Sequence, residues 1–319
     1  DVTVVPEQEY PDGNFPTCPF PNPEIKEALA KGLELCNVVK PDLLLATDPD
    51  CDRVGIAVPS DNGYELFTGN EVGAMLLEYI CSERTKMGTM PADPVAVKTI
   101  VTTDIAAKIA KEYGVKLIEV LTGFKFIGEQ IGFLEDKGQE DRYIFGFEES
   151  YGYLAGSYVR DKDAVVASML ICEMAAFYRT KGISLIQARE NMYKKYGVYV
   201  HSQSSFVCEG VTGMERMKEI MSDLRTNTPK TIGGLTVTRF EDYLASTSVD
   251  TATGAKTMLT LPKSDVLTFK LTDGASVIIR PSGTEPKIKA YYTTTGTTKA
   301  EAAALEKTIS DDFAKILGF

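Results

Sequence analysis

From residue 95 onward the apolar positions change period at short intervals. VAVKTIVTT (95–103) is a near-continuous apolar run, which predicts a buried strand. TDIAAKIAKEYG (103–114) switches to helical spacing and ends on Gly114, the residue that best tolerates the left-handed turn closing a helix. KLIEVLTG (116–123) predicts another strand, FKFIGEQIGFLE (124–135) a helix, and YIFGFEES (143–150) a third strand. A long apolar helix follows over 164–182, and then a connecting helix over 185–197. This strand–helix alternation predicts a mostly parallel sheet with helices on its faces.

Upstream, DVTVV (1–5) alternates like a strand, and the proline-rich stretch 6–23 predicts a long irregular connection. EIKEALAKGLELC (24–36) predicts a helix with Pro23 in its first turn. PDLLLATD (41–48), VGIAVP (54–59) and YELFTG (64–69) predict three strands, and NEVGAMLLEYICSER (70–84) a helix capped by Asn70. After residue 198 the pattern becomes half-buried alternation over 198–207, 231–240, 266–273, 276–282 and 287–294, with helices at 213–226 and 299–317. The expected fold is therefore α/β. Mixed, mostly parallel sheets with flanking helices fill 1–68 and 69–197, and an α+β module with an antiparallel sheet fills 198–319.

Composition narrows the function. The 319 residues are 44% hydrophobic and 25% charged, ordinary for a globular chain with a real core. A net charge of -11 argues against a broad nucleic-acid surface, because phosphate-backbone affinity needs clustered Lys and Arg. No apolar run reaches membrane-spanning length, so no membrane partner is expected. The six cysteines form no C-x-x-C pair and read as reduced thiols of a cytoplasmic protein. His201 is the only histidine, which excludes a three-histidine zinc site.

Candidate chemistry sits in loops. In ATDPDCDRVGIAV (46–58), Asp48, Asp50 and Asp52 stand at alternate positions and Arg53 follows. Carboxylates at that spacing can converge on a hard divalent cation; a solvated acidic turn is the plainer reading. An EF-hand fails, because Arg53 stands where its glycine belongs and Pro59 where its glutamate belongs. In RPSGTEPK (280–287), Arg280 can fork onto a phosphate, Ser282 and Thr284 offer hydroxyls, Gly283 admits close backbone approach, and Lys287 adds charge. A simple hairpin turn fits the same letters. In GFEESYG (146–152), Glu148 and Ser150 alternate, and a carboxylate beside a hydroxyl suits the vicinal hydroxyls of a sugar; an exposed strand end fits as well. Lys125, just after a strand and a glycine turn, can hold a phosphate or transfer a proton, or be an ordinary surface lysine. In VRDKDA (159–164), Arg160 and Lys162 can contact phosphate or stay solvated.

Taken in order, DPDCDR, TGFKFIG, FEESYG and RPSGTEPK resemble four loops of the α-D-phosphohexomutase superfamily, which includes phosphoglucomutases and phosphomannomutases. The resemblance spans essentially the whole chain. It implies that 1–68 is the end of that family's domain II, 69–197 domain III and 198–319 domain IV. It implies that Asp48, Asp50 and Asp52 bind one Mg²⁺ and that Arg53 lies by the reactive phosphate. It further implies that Glu148 and Ser150 bind the sugar, that Arg280, Ser282, Gly283 and Thr284 grip the non-reacting phosphate, and that Lys125 is an active-site cation or acid–base group. The implied activity interconverts glucose 1-phosphate and glucose 6-phosphate through a phosphoserine and glucose 1,6-bisphosphate, with a hexose phosphate as the small-molecule partner. The F-E-E-S form of the sugar loop favours phosphoglucomutase, with phosphomannomutase and phosphopentomutase as alternatives. The family's Thr-Ala-Ser-His-Asn-Pro-like phosphoserine motif is absent from these 319 residues. The chain is therefore expected to be a C-terminal fragment, inactive alone; a sugar-phosphate-binding protein without transfer chemistry is the non-enzymatic alternative.

Overall fold

The computed structural model describes residues 1–210, 212–283 and 285–319. It divides into two compact units, Asp1–Tyr196 and Gly197–Phe319. No helix among the described residues is long and apolar enough to cross a membrane.

The first unit opens without a strand. Residues 1–5 have no regular structure, and Val2 is 92% exposed. The expected strand fails because an extended segment needs a partner for its backbone groups, and none of the described strands pairs with it. The expected helix over 24–36 is displaced. Pro23 is buried outside it, a short 3₁₀ turn covers Lys26–Leu29, and helix α1 runs Ala30–Val39. Three strands follow: β1 (Leu44–Thr47), β2 (Val54–Ser60) and β3 (Gly63–Phe67). They form a three-stranded sheet in that order, antiparallel throughout, so the parallel geometry expected of the opening segment does not hold there. The connections explain it. The links are six and two residues long, too short for the crossover that parallel neighbours require.

Helix α2 (Gly69–Met87) is capped by Thr68, not by Asn70. The Thr68 hydroxyl accepts from Glu71 N (3.2 Å) while the Glu71 carboxylate accepts from Thr68 N (2.8 Å), a reciprocal capping box. Asn70 is buried and serves elsewhere, accepting from Thr103 N at 2.9 Å. Beyond it lie β4 (Val95–Thr99), α3 (Ile105–Tyr113), β5 (Lys116–Val120), α4 (Phe124–Glu135), β6 (Tyr143–Phe147), β7 (Tyr153–Leu154), α5 (Ala164–Thr180) and α6 (Leu185–Tyr196). Gly114 ends α3 in the left-handed conformation, as expected. The second sheet has order β5-β4-β6-β7, with β4 parallel to both β5 and β6. Val95, Val97, Val120, Ile127, Ile131 and Leu154 form its core against α4.

The second unit is built on one antiparallel sheet. Its strands are β8 (Val198–Val207), β9 (Thr231–Ile232), β10 (Leu235–Asp242), β11 (Thr247–Asp250), β12 (Lys256–Met258), β13 (Leu267–Leu271), β14 (Ser276–Pro281) and β15 (Lys287–Gly296). The order is β12-β11-β10-β13-β14-β15-β8, and β9 pairs with β10. Helices α7 (Gly213–Thr226) and α8 (Lys299–Leu317) supply Met217, Met221, Ile309 and Phe313 to a core with Phe269, Val277, Ile279 and Ile288. The alternation read in 276–282 and 287–294 marks the strand face turned toward these helices.

Candidate functional site

The turn between β1 and β2 is held by Asp48. Its Oδ1 accepts from the backbone N of Asp52 (3.1 Å) and of Arg53 (3.0 Å), and its Oδ2 accepts from Arg53 Nε (2.7 Å). Cys51 sits at φ +57°, in the left-handed region, and its N–H closes the turn on Asp48 O (3.1 Å). Asp48 is 4% exposed, Asp52 half-buried and Asp50 exposed. Burial by itself raises the Asp48 carboxyl, yet the Arg53 backbone and guanidinium bonds bring it below the ordinary range. Burial raises Asp52, with Lys162 opposing that rise and Asp48 adding to it.

One oxygen from each of Asp48, Asp50 and Asp52 lies within 4.8 Å of the others. Three hard carboxylate oxygens on one tight turn fit a magnesium-type cation, which prefers oxygen donors and keeps part of its water shell. Arg53 extends the site away from the trio. Its Nη1 lies 3.4 Å from both Asn22 Oδ1 and Glu24 Oε1, which gives the proline-rich stretch a role in orienting it.

The sugar-loop candidate is built directly against this turn. Arg53 forms an antiparallel bridge with Gly152, Val54 N donates to Tyr151 O (3.1 Å), and Ala164 N donates to Cys51 O (3.1 Å). Glu148 leaves the end of β6 buried, and its Oε1 accepts from Gly123 N at 2.9 Å. That bond draws in the 121–125 loop as well. Burial, and then the neighbouring Glu149 charge, push the Glu148 carboxyl up to about 7. Residues 149–151 turn, with Tyr151 at φ +70°, so the alternation that placed Glu148 and Ser150 on one side does not apply. Ser150 is half-buried within that turn.

Lys125 is the second residue of α4. It is exposed, with its ammonium 4.9 Å from the Phe126 ring centre. The lysine that reaches the aspartates is Lys162, whose Nζ lies 2.8 Å from Asp52 Oδ2. Arg160, its partner in the sequence motif, turns instead to Glu135 and the Ser157 carbonyl.

The phosphate-loop candidate belongs to the second unit. It is the hairpin between β14 and β15, with Ser282 N donating to Lys287 O (2.8 Å) and Ser282 Oγ accepting from Glu285 N (3.3 Å). Arg280 and Ser282 are half-buried, and Gly283 is exposed with open space around it. Thr284 lies outside the described residues. Lys287 pairs with Glu285 at 2.5 Å. The register sets Lys289 directly across from Arg280, two like charges on adjacent strands. Such a pair is unfavourable unless an anion lies between them. Lys289 escaped the sequence reading, although the alternation K-I-K after the loop was its signal.

Comparison with known families matches three stretches of the chain. The descriptions "Phosphoglucomutase/phosphomannomutase, alpha/beta/alpha domain II", "alpha/beta/alpha domain III" and "C-terminal domain" match residues 1–62, 68–196 and 225–311. The chain belongs to the α-D-phosphohexomutase superfamily. Among curated members of this superfamily, a phosphoglucomutase of Staphylococcus aureus (strain bovine RF122 / ET3-1) is 38% identical over 289 residues, covering 90% of this chain and 51% of the relative. One from Staphylococcus saprophyticus is 36% identical over 293 residues, covering 92% and 52%. The chain thus spans about half the length of the curated relatives it matches. Two solved structures share the phosphohexomutase fold. The Paramecium phosphoprotein pp63/parafusin in its open form has a TM-score of 0.66 at 20% identity, covering 93% of this chain and 50% of that one. A putative phosphomannomutase from Thermus thermophilus has a TM-score of 0.59 at 20% identity, covering 94% and 51%.

Proposed function

We propose that this polypeptide carries the metal-binding, sugar-binding and distal-phosphate-binding parts of a phosphoglucomutase-type isomerase acting on glucose 1-phosphate and glucose 6-phosphate. The observation that carries the reading is the joining of the aspartate turn to the 148–152 loop through the Arg53–Gly152 bridge, and to the 159–164 segment through the Lys162–Asp52 ion pair at 2.8 Å. Metal donors, a cation and a sugar-type carboxylate then serve one reacting group. The curated relatives named phosphoglucomutase support the choice of sugar.

Asp48, Asp50 and Asp52 would hold Mg²⁺, which when bound offsets charge on a transferring phosphoryl group. Arg53 and Lys162 orient that phosphoryl group through charge-assisted hydrogen bonds. Glu148, with its proton nearly balanced at neutral pH, accepts from or donates to a sugar hydroxyl. Arg280, Ser282, Gly283 and Thr284, with Lys289 beside them, hold the phosphate that does not react. Lys125 supplies a further cation near the 121–125 turn. Transfer proceeds through a phosphoserine and glucose 1,6-bisphosphate, so the 319 residues by themselves bind a hexose bisphosphate weakly and catalyse nothing.

The test is turnover by the protein in the length of its curated relatives, on glucose 1-phosphate, mannose 1-phosphate and ribose 1-phosphate with catalytic bisphosphate present. Glucose 1-phosphate is expected to be preferred; a preference for ribose 1-phosphate removes the assignment. Robust mutase activity from the 319-residue chain would contradict the need for a phosphoserine supplied from elsewhere.

A further inference from the structure

Lys162 approaches the aspartate turn from a different part of the chain and is fixed there by its neighbours. Asp163 N donates to Tyr153 O (3.0 Å), Ala164 N donates to Cys51 O (3.1 Å), and the Asp163 carboxylate caps α5 through Val165 N and Val166 N. The lysine side chain is 16% exposed, pairs with Asp52 Oδ2 (2.8 Å) and Asp161 Oδ1 (3.0 Å), and lies 5.6 Å from the Phe124 ring centre. Its path depends on a missing atom. A Cβ at Gly152 would stand 2.3 Å from Lys162 Cδ and 2.8 Å from Cγ, so the lysine stem fills the space a side chain at 152 would need. The same Cβ position is 3.6 Å from Glu148 Oε2.

The charges then make a competition. Three carboxylates face Arg53, which takes Asp48 at 2.7 Å, and Lys162, which takes Asp52 at 2.8 Å. A divalent cation held by the trio claims the carboxylate that Lys162 already holds, and repels the ammonium at close range. We infer that Lys162 is the resident counter-ion of the aspartate trio, displaced by metal binding toward Glu148, and that Gly152 is the positioning residue that lets one lysine reach both carboxylates. The inference rests on the metal reading above and adds a coupling to it. The Lys162 charge is released for a substrate phosphate only when the metal is in place, so metal and anion bind cooperatively.

The experiment is calorimetric titration of Mn²⁺ into the 319-residue chain at low ionic strength, for wild type, Lys162→Met, Gly152→Ala and, as a remote control, the exposed Lys137→Met. Removing the competing ion pair should tighten Mn²⁺ roughly three- to tenfold in Lys162→Met. Gly152→Ala should tighten it in the same direction by pushing the lysine aside, while Lys137→Met stays within about twofold. A second readout is independent of affinity. In the chain reductively methylated with ¹³C, the lysine resonance missing from Lys162→Met should move along the Mg²⁺ binding curve. Equal or weaker Mn²⁺ affinity in folded Lys162→Met, or a resonance that stays still at saturating Mg²⁺, overturns the inference and leaves the metal reading intact. Absence of Mn²⁺ binding in wild type and variants alike removes both.

Discussion

Glu148 is a carboxylate that its surroundings push toward neutrality, and this makes a pH prediction. Its unfolded value is near 4.5, and in the fold burial raises it to about 7. The folded state therefore binds the proton more tightly, so the Glu148 contribution is fully favourable below about pH 4.5 and is lost as pH rises through about 7. A difference of that size corresponds to about 3 kcal/mol at most. Urea unfolding of wild type and Glu148→Gln at pH 5 and pH 8 isolates it: wild type should lose about 2–3 kcal/mol relative to the variant across that interval. Equal slopes would show that the carboxyl is hydrated rather than buried. Asp48 behaves in the opposite sense, because its bonds to Arg53 favour the charged form. Asp48→Asn sets an amide against the Arg53 Nε donor, with an expected cost of about 2 kcal/mol in the same unfolding assay and a tenfold or greater loss of Mn²⁺ affinity by titration. At this scale the sequence showed the aspartates, because three carboxylates at alternate positions are unusual in themselves. It left Lys162 open between phosphate contact and solvation, because local turn chemistry says nothing of which lysine bends back to Asp52. That choice is made by the absent side chain at Gly152 and the bridge at Arg53.

Elements follow local pattern where local pattern decides them. The β-α-β alternation from 95 to 147 was legible because β4 and β6, buried along their whole length, read as apolar runs, and amphipathic helices separate the strands. The antiparallel opening sheet was not, since strand direction is set by connection length and pairing rather than by composition. The cap of α2 was misread by two residues for a related reason. Asn70 and Thr68 are both good caps, and only the tertiary bond from Thr103 N to Asn70 takes the asparagine out of contention. The two residues should therefore fail differently. Thr68→Ala removes the exposed cap residue of α2 and should cost about 1 kcal/mol. Asn70→Ala strands the buried Thr103 N–H and should cost about 1–3 kcal/mol. Chemical denaturation measures both, and a larger loss in Thr68→Ala would reverse the assignment. Helix α6 adds a lock on the sheet that carries the aspartate turn. Arg189, 4% exposed, pairs with Glu65 of β3 (2.6 Å) and stacks 4.6 Å from the Phe67 ring. Its Nη1 also lies 3.4 Å from the buried Glu71 Oε1, so Arg189→Ala should cost about 3 kcal/mol by removing the cation beside that carboxylate, again by denaturation.

For the whole molecule, the two compact units have separate cores and carry different parts of the candidate chemistry. The aspartates, Arg53, Lys162 and Glu148 all lie within 1–196, and Arg280, Ser282 and Lys289 within 197–319. A metal held only by the first unit can stabilise only what unfolds with it. At a hundredfold excess of Mg²⁺ over its dissociation constant the stabilisation is about 2.7 kcal/mol. For a unit of this size that raises the melting temperature by roughly 5–10 °C. Scanning calorimetry of the chain should resolve two transitions, the second unit's identified by scanning residues 197–319 alone. Mg²⁺ should move the other transition and leave that one in place, while EDTA restores the first. The converse probe is a hexose bisphosphate without metal: if the Arg280 hairpin holds its distal phosphate, as proposed, it should move the second unit's transition by a smaller amount. If Mg²⁺ moves both transitions equally, the units unfold as one body and the separation of metal and phosphate chemistry between them fails as a thermodynamic statement. If it moves only the second, the aspartate trio is not the metal site.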